Sequence, residues 1–222
     1  GINSEKQHGS LLSDPFLLGG TRAGGPRQED CDPPYEAKLD PLIGKHVAPF
    51  GMAVINSRIV RRTAGLLEAR GFAHPSVRLY ARDFAYSEVA MAPDEETAVK
   101  MARAASVPAS KLQELVAQGR LPAPGDGPSE AERAKNWFRF HFLAESSEPG
   151  IPKLAGTVSG GDPGYTETAK MVSESAVMLA TDGPDSEAIG FQTPASALGA
   201  RLRARLHSEG ISFEEAPLPS SV

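Results

Sequence analysis

Three phenylalanines at alternate positions, Phe138, Phe140 and Phe142, constrain the fold of this chain more than any other feature of its sequence. The residues between them, Arg139 and His141, are polar. Successive side chains of a β-strand point to opposite faces, so the spacing predicts a strand with one apolar and one polar face. Because a strand needs paired neighbours and an apolar face needs a cover, we expect a sheet that packs against helices.

Further strands are predicted on either side of this one. The turn sequence Glu-Pro-Gly at residues 148–150 favours a hairpin whose second strand covers residues 153–159. A period of two also predicts a strand over residues 77–89, and Ile211 with Phe213 predicts a short last strand. These strands alternate with helical patterns, which indicates an α/β or α+β domain.

The clearest helical pattern runs from residue 52 to residue 66. Met52, Ile55, Ile59 and Leu66 recur at helical spacing, and Gly71 follows as a C-cap candidate. We expect this helix to pack its apolar stripe against the predicted sheet.

Other helices carry recognisable start signals. Asp94, Ser129 and Thr193 have side chains that can cap a first turn, and further helices are predicted to begin near Ala109 and Tyr165. The last two helices carry apolar stripes formed by Ala169, Val172, Ala176 and Leu179, and by Leu198, Leu202 and Leu206. Each of these stripes predicts a packed helix face.

The composition excludes several classes of protein. A formal net charge of −5 over 222 residues argues against a dedicated nucleic-acid binder. The basic cluster Arg58, Arg61 and Arg62 is better explained by a solvated helix face or a subunit contact than by phosphate binding. The single Cys31 rules out an internal disulfide and fits a reducing compartment. No apolar run is long enough to span a bilayer and no signal peptide is visible, so we expect an intracellular protein, in the cytoplasm, in an organelle or associated with a membrane.

Motifs with recognisable chemistry are missing from the sequence. It contains no G-x-G-x-x-G unit, P-loop, H-E-x-x-H, C-x-x-C or G-x-S-x-G, and the glycines of residues 19–25 have the wrong spacing for a dinucleotide site. His141 has no metal-spaced partner and is interpreted as a residue of the sheet surface. No metal site and no cofactor site are predicted in this chain, and its catalytic residues stay unassigned.

Four stretches, in order, resemble saccharopine dehydrogenase-like oxidoreductases, and most closely their trans-acting enoyl reductase branch. They are APFGMAVINSRIVRR at 48–62, YARDFAYSE at 80–88, DPGYTETAKM at 162–171, and TPASALG at 193–199 followed by GISF at 210–213. The order and spacing agree from about residue 10 to residue 213. At Thr166 the chain departs from the glycine that the family often has after the tyrosine.

The resemblance implies an α/β fold in two parts. One part is an α+β domain with a mixed, largely antiparallel sheet and flanking helices. The other consists of C-terminal helices that return to a Rossmann-type domain whose nucleotide-binding strands are absent here. The expected segments are a loop-rich segment at 1–44, a substrate or dimerisation domain at 45–160, the returning helices at 161–215 and a tail at 216–222. The resemblance also implies that the complete enzyme binds NAD or NADP, while this segment alone binds neither and is inactive.

The resemblance and the local chemistry suggest four residues for the substrate cleft. Asn56 and Arg58 either face the cleft or hold the helix and a loop through hydrogen bonds. Tyr165 either lines the cleft or anchors the Asp-Pro-Gly turn, and Asp162 is best explained by turn chemistry. Both alternatives stay open for Asn56, Arg58 and Tyr165.

Two functions are compatible with these observations. The first is the substrate-side part of an NAD(P)-dependent oxidoreductase, acting on an imine-forming amino acid or a lipid enoyl thioester. The second is a non-catalytic subunit or interaction module derived from the same family. Both imply a partner, either the missing nucleotide-binding domain or another protein chain, and both allow a homo- or hetero-oligomer. The apolar stripes of the last two helices are the expected contact surfaces.

Overall fold

The computed structural model describes residues 13–19, 25–30, 36–70, 85–123, 125–146, 149–184 and 189–218. Its strands are β1 (Lys38–Asp40), β2 (Lys45–Pro49), β3 (Val89–Ala92), β4 (Phe138–Ala144), β5 (Leu154–Gly160) and β6 (Ser212–Glu215). Its helices are α1 (Ala53–Ala69), α2 (Glu95–Ala105), α3 (Ala109–Ala117), α4 (Glu130–Arg133), α5 (Thr166–Thr181) and α6 (Pro194–Ser208). The mixed α/β class predicted from the sequence is confirmed. None of the described helices is long and apolar enough to cross a membrane.

The described residues divide into two compact units. Unit 1 contains the described residues up to 112 together with 189–196. Unit 2 contains those of 113–188 together with 197–218. Each unit contains one three-stranded sheet in which every pairing is antiparallel.

The sheet of unit 1 has the strand order β1-β2-β3. Val47 and Ala48 of β2 are buried, as are Ala98 and Ala102 of α2, the helix that contacts this sheet. Small alanines on the helix allow close contact with the strands. The predicted cap of α2 is confirmed, because the backbone amide of Thr97 donates to Asp94 Oδ1 at 2.7 Å.

The sheet of unit 2 has the order β4-β5-β6 and contains the predicted hairpin. Phe140 of β4 lies opposite Val158 of β5, which in turn lies opposite Phe213 of β6. One face of this sheet is covered by an apolar core formed by Met178, Ala197, Leu198, Leu202, Leu206 and Ile211. The phenylalanine spacing therefore identified the strand that supports the core of unit 2.

Local start signals were predicted correctly elsewhere as well. Ser129 and Glu132 form a complete capping box at α4. The amide of Ser196 donates to Thr193 Oγ1 at 3.2 Å, so Thr193 caps α6 as expected. α6 is kinked at Gly199, whose φ of 50° is a backbone conformation that glycine adopts readily.

The strand predicted over residues 77–89 differs from the observed one. Residues 71–84, and with them the C-cap candidate Gly71, lie outside the described residues, and 85–88 form no regular strand. The observed strand is Val89–Ala92, and it pairs with β2 rather than with the phenylalanine strand. β1 lies inside the opening segment that we expected to be irregular, because three residues are too short a run to show a period.

The two last helices differ in how their apolar stripes are covered. The expectation that the leucine stripe of α6 faces a missing domain is wrong, because Leu198, Leu202 and Leu206 are buried in the core of unit 2. The stripe of α5 is exposed as expected, and it includes Val172 and Leu179. Of these two stripes, the α5 stripe stays a candidate contact surface; it is formed by Ala169, Val172, Ala176 and Leu179.

Candidate functional site

Helix α1 has its polar side inside and its apolar side outside. Its buried residues include Ser57, Arg58, Arg61 and Thr63. The exposed residues of the helix and its N-cap include Met52 (48% exposed), Ile55 (55%) and Ile59 (40%), which we call the α1 apolar face. The expectation that this stripe packs against the sheet is therefore wrong. Contiguous exposed apolar surfaces are common sites of contact with ligands or other proteins, so the α1 apolar face is a candidate for such contact.

The buried polar side of α1 is stabilised by contacts with distant loops. Arg61 lies 3.9 Å from the carboxylate of the fully buried Asp30 and 5.6 Å from the ring centre of Phe16. Its guanidinium also donates to the carbonyls of Pro15 at 3.3 Å and Tyr86 at 3.4 Å. These contacts offset part of the cost of burying the arginine charge, and they fix three loops to one helix.

A second group of contacts fixes residues 189–196 to the same helix. Arg62 donates to the carbonyls of Leu18 at 2.9 Å and Phe191 at 2.7 Å. The hydroxyls of Thr63 and Thr193 lie 2.8 Å apart. Phe191 itself is 92% exposed, so its backbone is held in place while its ring faces solvent.

The basic cluster of α1 is therefore structural. Arg58 is buried and donates to Val54 O at 2.7 Å within its own helix. With Arg61 and Arg62 bound to loop carbonyls, the interpretation of this cluster as a solvated helix face is wrong. The contact of Arg58 is a hydrogen bond within α1, which is of the type expected for a residue that stabilises the helix.

Asn56 forms a polar pair with Glu88. Its side-chain amide donates to both carboxylate oxygens of Glu88, at 3.2 and 3.0 Å. Burial raises the pKa of Glu88 above its ordinary range, and the bond from Asn56 offsets part of that rise. Burial, followed by the charge of Glu88, raises the pKa of Tyr86 to about 12. Glu88 is thus a partly desolvated carboxyl group, and the neutral side-chain amide of Asn56 fixes its orientation.

The polar pair borders the α1 apolar face. Asn56 follows Met52 by four residues and precedes Ile59 by three, and residues at these spacings are neighbours on a helix surface. Glu88 is only partly buried. An apolar surface with one hydrogen-bonding carboxyl at its edge can hold an amphipathic molecule, with its chain on the isoleucines and its polar end at Glu88.

The other two candidates, Asp162 and Tyr165, lie in unit 2 and form one turn. Asp162 is buried and accepts from the amides of Tyr165 at 2.8 Å and Thr166 at 2.9 Å, and from the side chain of Asn136 at 2.8 Å. The bond from Asn136, followed by that from the Thr166 amide, lowers the pKa of Asp162. This geometry is the turn chemistry that the sequence suggested for Asp162, and it fixes the start of α5.

The side chain of Tyr165 packs on a glycine. A Cβ added to Gly127 would lie 3.0 Å from the ring carbon Cε1 of Tyr165, so the ring contacts the Gly127 backbone closely. Half of the Tyr165 residue stays exposed. The contact anchors the turn to the preceding loop while the rest of the ring faces solvent.

No other group of side chains in the described residues suggests reactive chemistry. Across those ranges, no cluster of three or more His, Cys, Asp or Glu side chains could hold a metal ion. His141 is exposed on β4, as predicted, and Cys31 lies outside the described residues. The sequence pointed to Asn56 but not to the role of Glu88, because the pair joins residues 32 positions apart.

The chain is similar over most of its length to mycobacterial proteins that are named trans-acting enoyl reductases. A Mycobacterium tuberculosis protein provisionally given that name is 32% identical over 94% of this chain and 51% of its own length. The trans-acting enoyl reductases of Mycobacterium ulcerans and Mycobacterium leprae are each 30% identical, over 94% and 90% of this chain and 51% and 49% of their own lengths. The chain therefore spans about half the length of these relatives. No family model and no solved structure matches the chain.

The residues that the structure describes do not form the arrangement that a dinucleotide cofactor requires. The sequence has no G-x-G-x-x-G unit, and the described strands pair only in the antiparallel sense. A dinucleotide fold needs parallel strands linked by a helix whose N-terminus receives the pyrophosphate. The described part of the chain supplies no such arrangement.

Proposed function

We propose that this chain forms the substrate side of an NAD(P)-dependent oxidoreductase of the saccharopine dehydrogenase-like type, in the trans-acting enoyl reductase branch, and that its substrate is an enoyl thioester of lipid metabolism. The similarity to trans-acting enoyl reductases over at least 90% of the chain is the observation that carries this proposal. A bound nicotinamide would supply the hydride, and its site would belong to a nucleotide-binding domain outside these residues.

The α1 apolar face supports a lipid substrate over an imine-forming amino acid. Met52, Ile55 and Ile59 offer an acyl chain a continuous apolar contact along about two turns of helix. Reduction of a carbon–carbon double bond also requires one proton. Within this surface, Glu88 is the group suited to hold that proton, because its raised pKa favours the neutral carboxyl that can donate one.

The test uses the longer gene product that includes the nucleotide-binding domain. Oxidation of NADPH in the presence of crotonyl-CoA measures the activity, and Glu88→Gln should lower kcat by about 100-fold, which is within the usual range for loss of a general acid. Glu96→Gln is the matched control, because that carboxylate is 80% exposed and pairs with Lys100 along α2. Full activity of Glu88→Gln would remove the carboxyl from the mechanism, while failure of the longer protein to bind NADPH would refute the oxidoreductase proposal itself.

A second function is favoured by the exposed faces of α1 and α5. A chain whose described residues present two apolar surfaces, and whose sequence contains no G-x-G-x-x-G unit, also fits a non-catalytic subunit of a larger assembly. Titration of NADPH into the 222-residue chain, followed by fluorescence, tests the premise that the two functions share. Micromolar binding by this chain alone would contradict both, since both place the nucleotide site elsewhere.

A further inference from the structure

Unit 2 contains a groove of about 560 Å³ between α6 and one end of the sheet. Phe142, Gly156 and Glu215 lie side by side across the three strands at this end, because Gly156 of the central strand is opposite both of the others. Gly156 has no side chain, so it leaves a gap between Phe142 and Glu215. A Cβ at this position would also come 3.1 Å from the carbonyl of Glu214, so the close strand pairing favours glycine here.

The groove has an arginine on one wall and a carboxylate on the other. Arg203 lines one side, with His207 one helical turn further along α6, and Glu215 lines the side of β6. Glu215 shares the strand face of Phe213, which packs against the core below α6. Val158, Phe213 and Ala204 provide apolar lining between the two walls.

Arg203 and Glu215 pair neither with each other nor with another side chain of the described residues, whereas Glu214, which also lines the groove, accepts from the hydroxyl of Ser212 at 2.7 Å. Within the described residues, no hydrogen bond or ion pair involves the side chains of Arg203 or Glu215. The other two arginines of the same helix behave differently: Arg201 donates to Gly183 O at 3.1 Å, and Arg205 pairs with Glu174. The walls therefore present one free cation and one free carboxylate to the same space.

We propose that this groove binds a small zwitterion of the α-amino acid class that carries an aromatic or branched apolar side chain. Its carboxylate would bind Arg203, its ammonium group would bind Glu215, and its side chain would contact Phe142 and Ala204. A ligand with one charge would pair with Arg203 or with Glu215 and would leave the other residue unpaired. The volume falls within the range of about 300–1,000 Å³ that is usual for small-molecule sites. The groove is open and both ion pairs are solvated, so the affinity is millimolar rather than micromolar.

Three probes with the same apolar body test the charge requirement on the unmodified chain. L-phenylalanine carries both charges, 3-phenylpropionate only the anion and phenethylamine only the cation. In titrations of the ¹⁵N-labelled 222-residue chain, L-phenylalanine should shift the amides of Gly156 and Phe213 saturably and bind at least about 5-fold more tightly than either single-charge probe. Equal binding of the three probes, or no saturation by L-phenylalanine, would overturn the proposal.

Two exposed substitutions test the walls. Arg203→Gln and Glu215→Gln should each weaken L-phenylalanine binding about 5-fold or more while the chain stays folded, since neither side chain has a partner to lose. Arg139→Gln is the matched control, because Arg139 is exposed on the opposite face of the same sheet. Unchanged binding in both wall variants, or an equal loss in the control, would assign the shifts to non-specific contact. The proposal does not depend on the oxidoreductase function, so either can fail alone.

Discussion

Replacement of Leu198 by alanine should destabilise unit 2 strongly, whereas the same replacement at Leu179 should not. Leu198 is 1% exposed and packs in a cluster that includes Leu202 and Ile211. A leucine-to-alanine change in such a core removes the transfer free energy of the lost atoms and leaves a cavity, which together cost about 3–5 kcal/mol. Leu179 is 47% exposed, so its truncation loses about 1 kcal/mol or less.

The two variants are compared by hydrogen exchange and by urea denaturation of the 222-residue chain. A difference of about 2–4 kcal/mol corresponds to roughly 30- to 1,000-fold in the unfolding equilibrium, which is visible in the exchange rates of protected α6 amides. The reasoning would be refuted if Leu198→Ala and Leu179→Ala shifted the α6 amides equally. That result would mean that the leucine stripe of α6 is not the core of unit 2 and that the helix requires a missing domain.

Three further predictions concern buried or partly buried charges. Asp30→Ala should lower the free energy of unfolding by about 3–5 kcal/mol, because it leaves the buried Arg61 without its carboxylate; urea denaturation measures the loss, and a change below about 1 kcal/mol would contradict it. Asp162→Asn should remove a pH-dependent part of the stability. Because the pKa of Asp162 is lowered in the folded chain, its contribution is present above the unfolded pKa of about 3.9 and is lost as the pH falls through the folded pKa. The variant should therefore lose less free energy of unfolding than the parent on acidification, as followed by acid denaturation. Glu88→Gln should change the pH dependence of stability in the opposite direction. Because the pKa of Glu88 is raised in the folded chain, its contribution is present below the unfolded pKa of about 4.3 and is lost as the pH rises through the folded pKa. The variant should lose less free energy of unfolding than the parent between pH 4 and 7, and parallel pH profiles would show that Glu88 is solvated.

Signals that depend on neighbours in the sequence predicted the local structure well. The capping residues Asp94, Ser129 and Thr193 act within three residues of their own positions, so their role can be inferred without knowledge of the fold. The alternation around Phe140 likewise predicted a strand and its buried face. The three-residue strand β1 carries too few positions to show a period, which is why it was missed.

The buried face of α1 could not be predicted in the same way. Its period of 3.6 residues predicted a helix, but the burial of Arg61 and Thr63 depends on partners such as Asp30 and Thr193, which lie 31 and 130 residues away in the sequence. Apolar side chains were therefore assigned to the inside by default. The same limit applies to the Asn56–Glu88 pair.

The inverted helix also bears on how the chain works. The polar side of α1 holds the loops of residues 13–19, 27–30 and 189–196 through side-chain contacts to their carbonyls and carboxylates, so reversing the helix would remove all of these contacts. The same orientation leaves Ile55 and Ile59 exposed. Burial of either side chain would stabilise the chain, and it requires another surface to cover them. The fold thus fixes an apolar surface and a carboxyl at its edge in one orientation before anything binds. A substrate or a neighbouring domain that covers this surface gains the burial free energy without having to order the helix first.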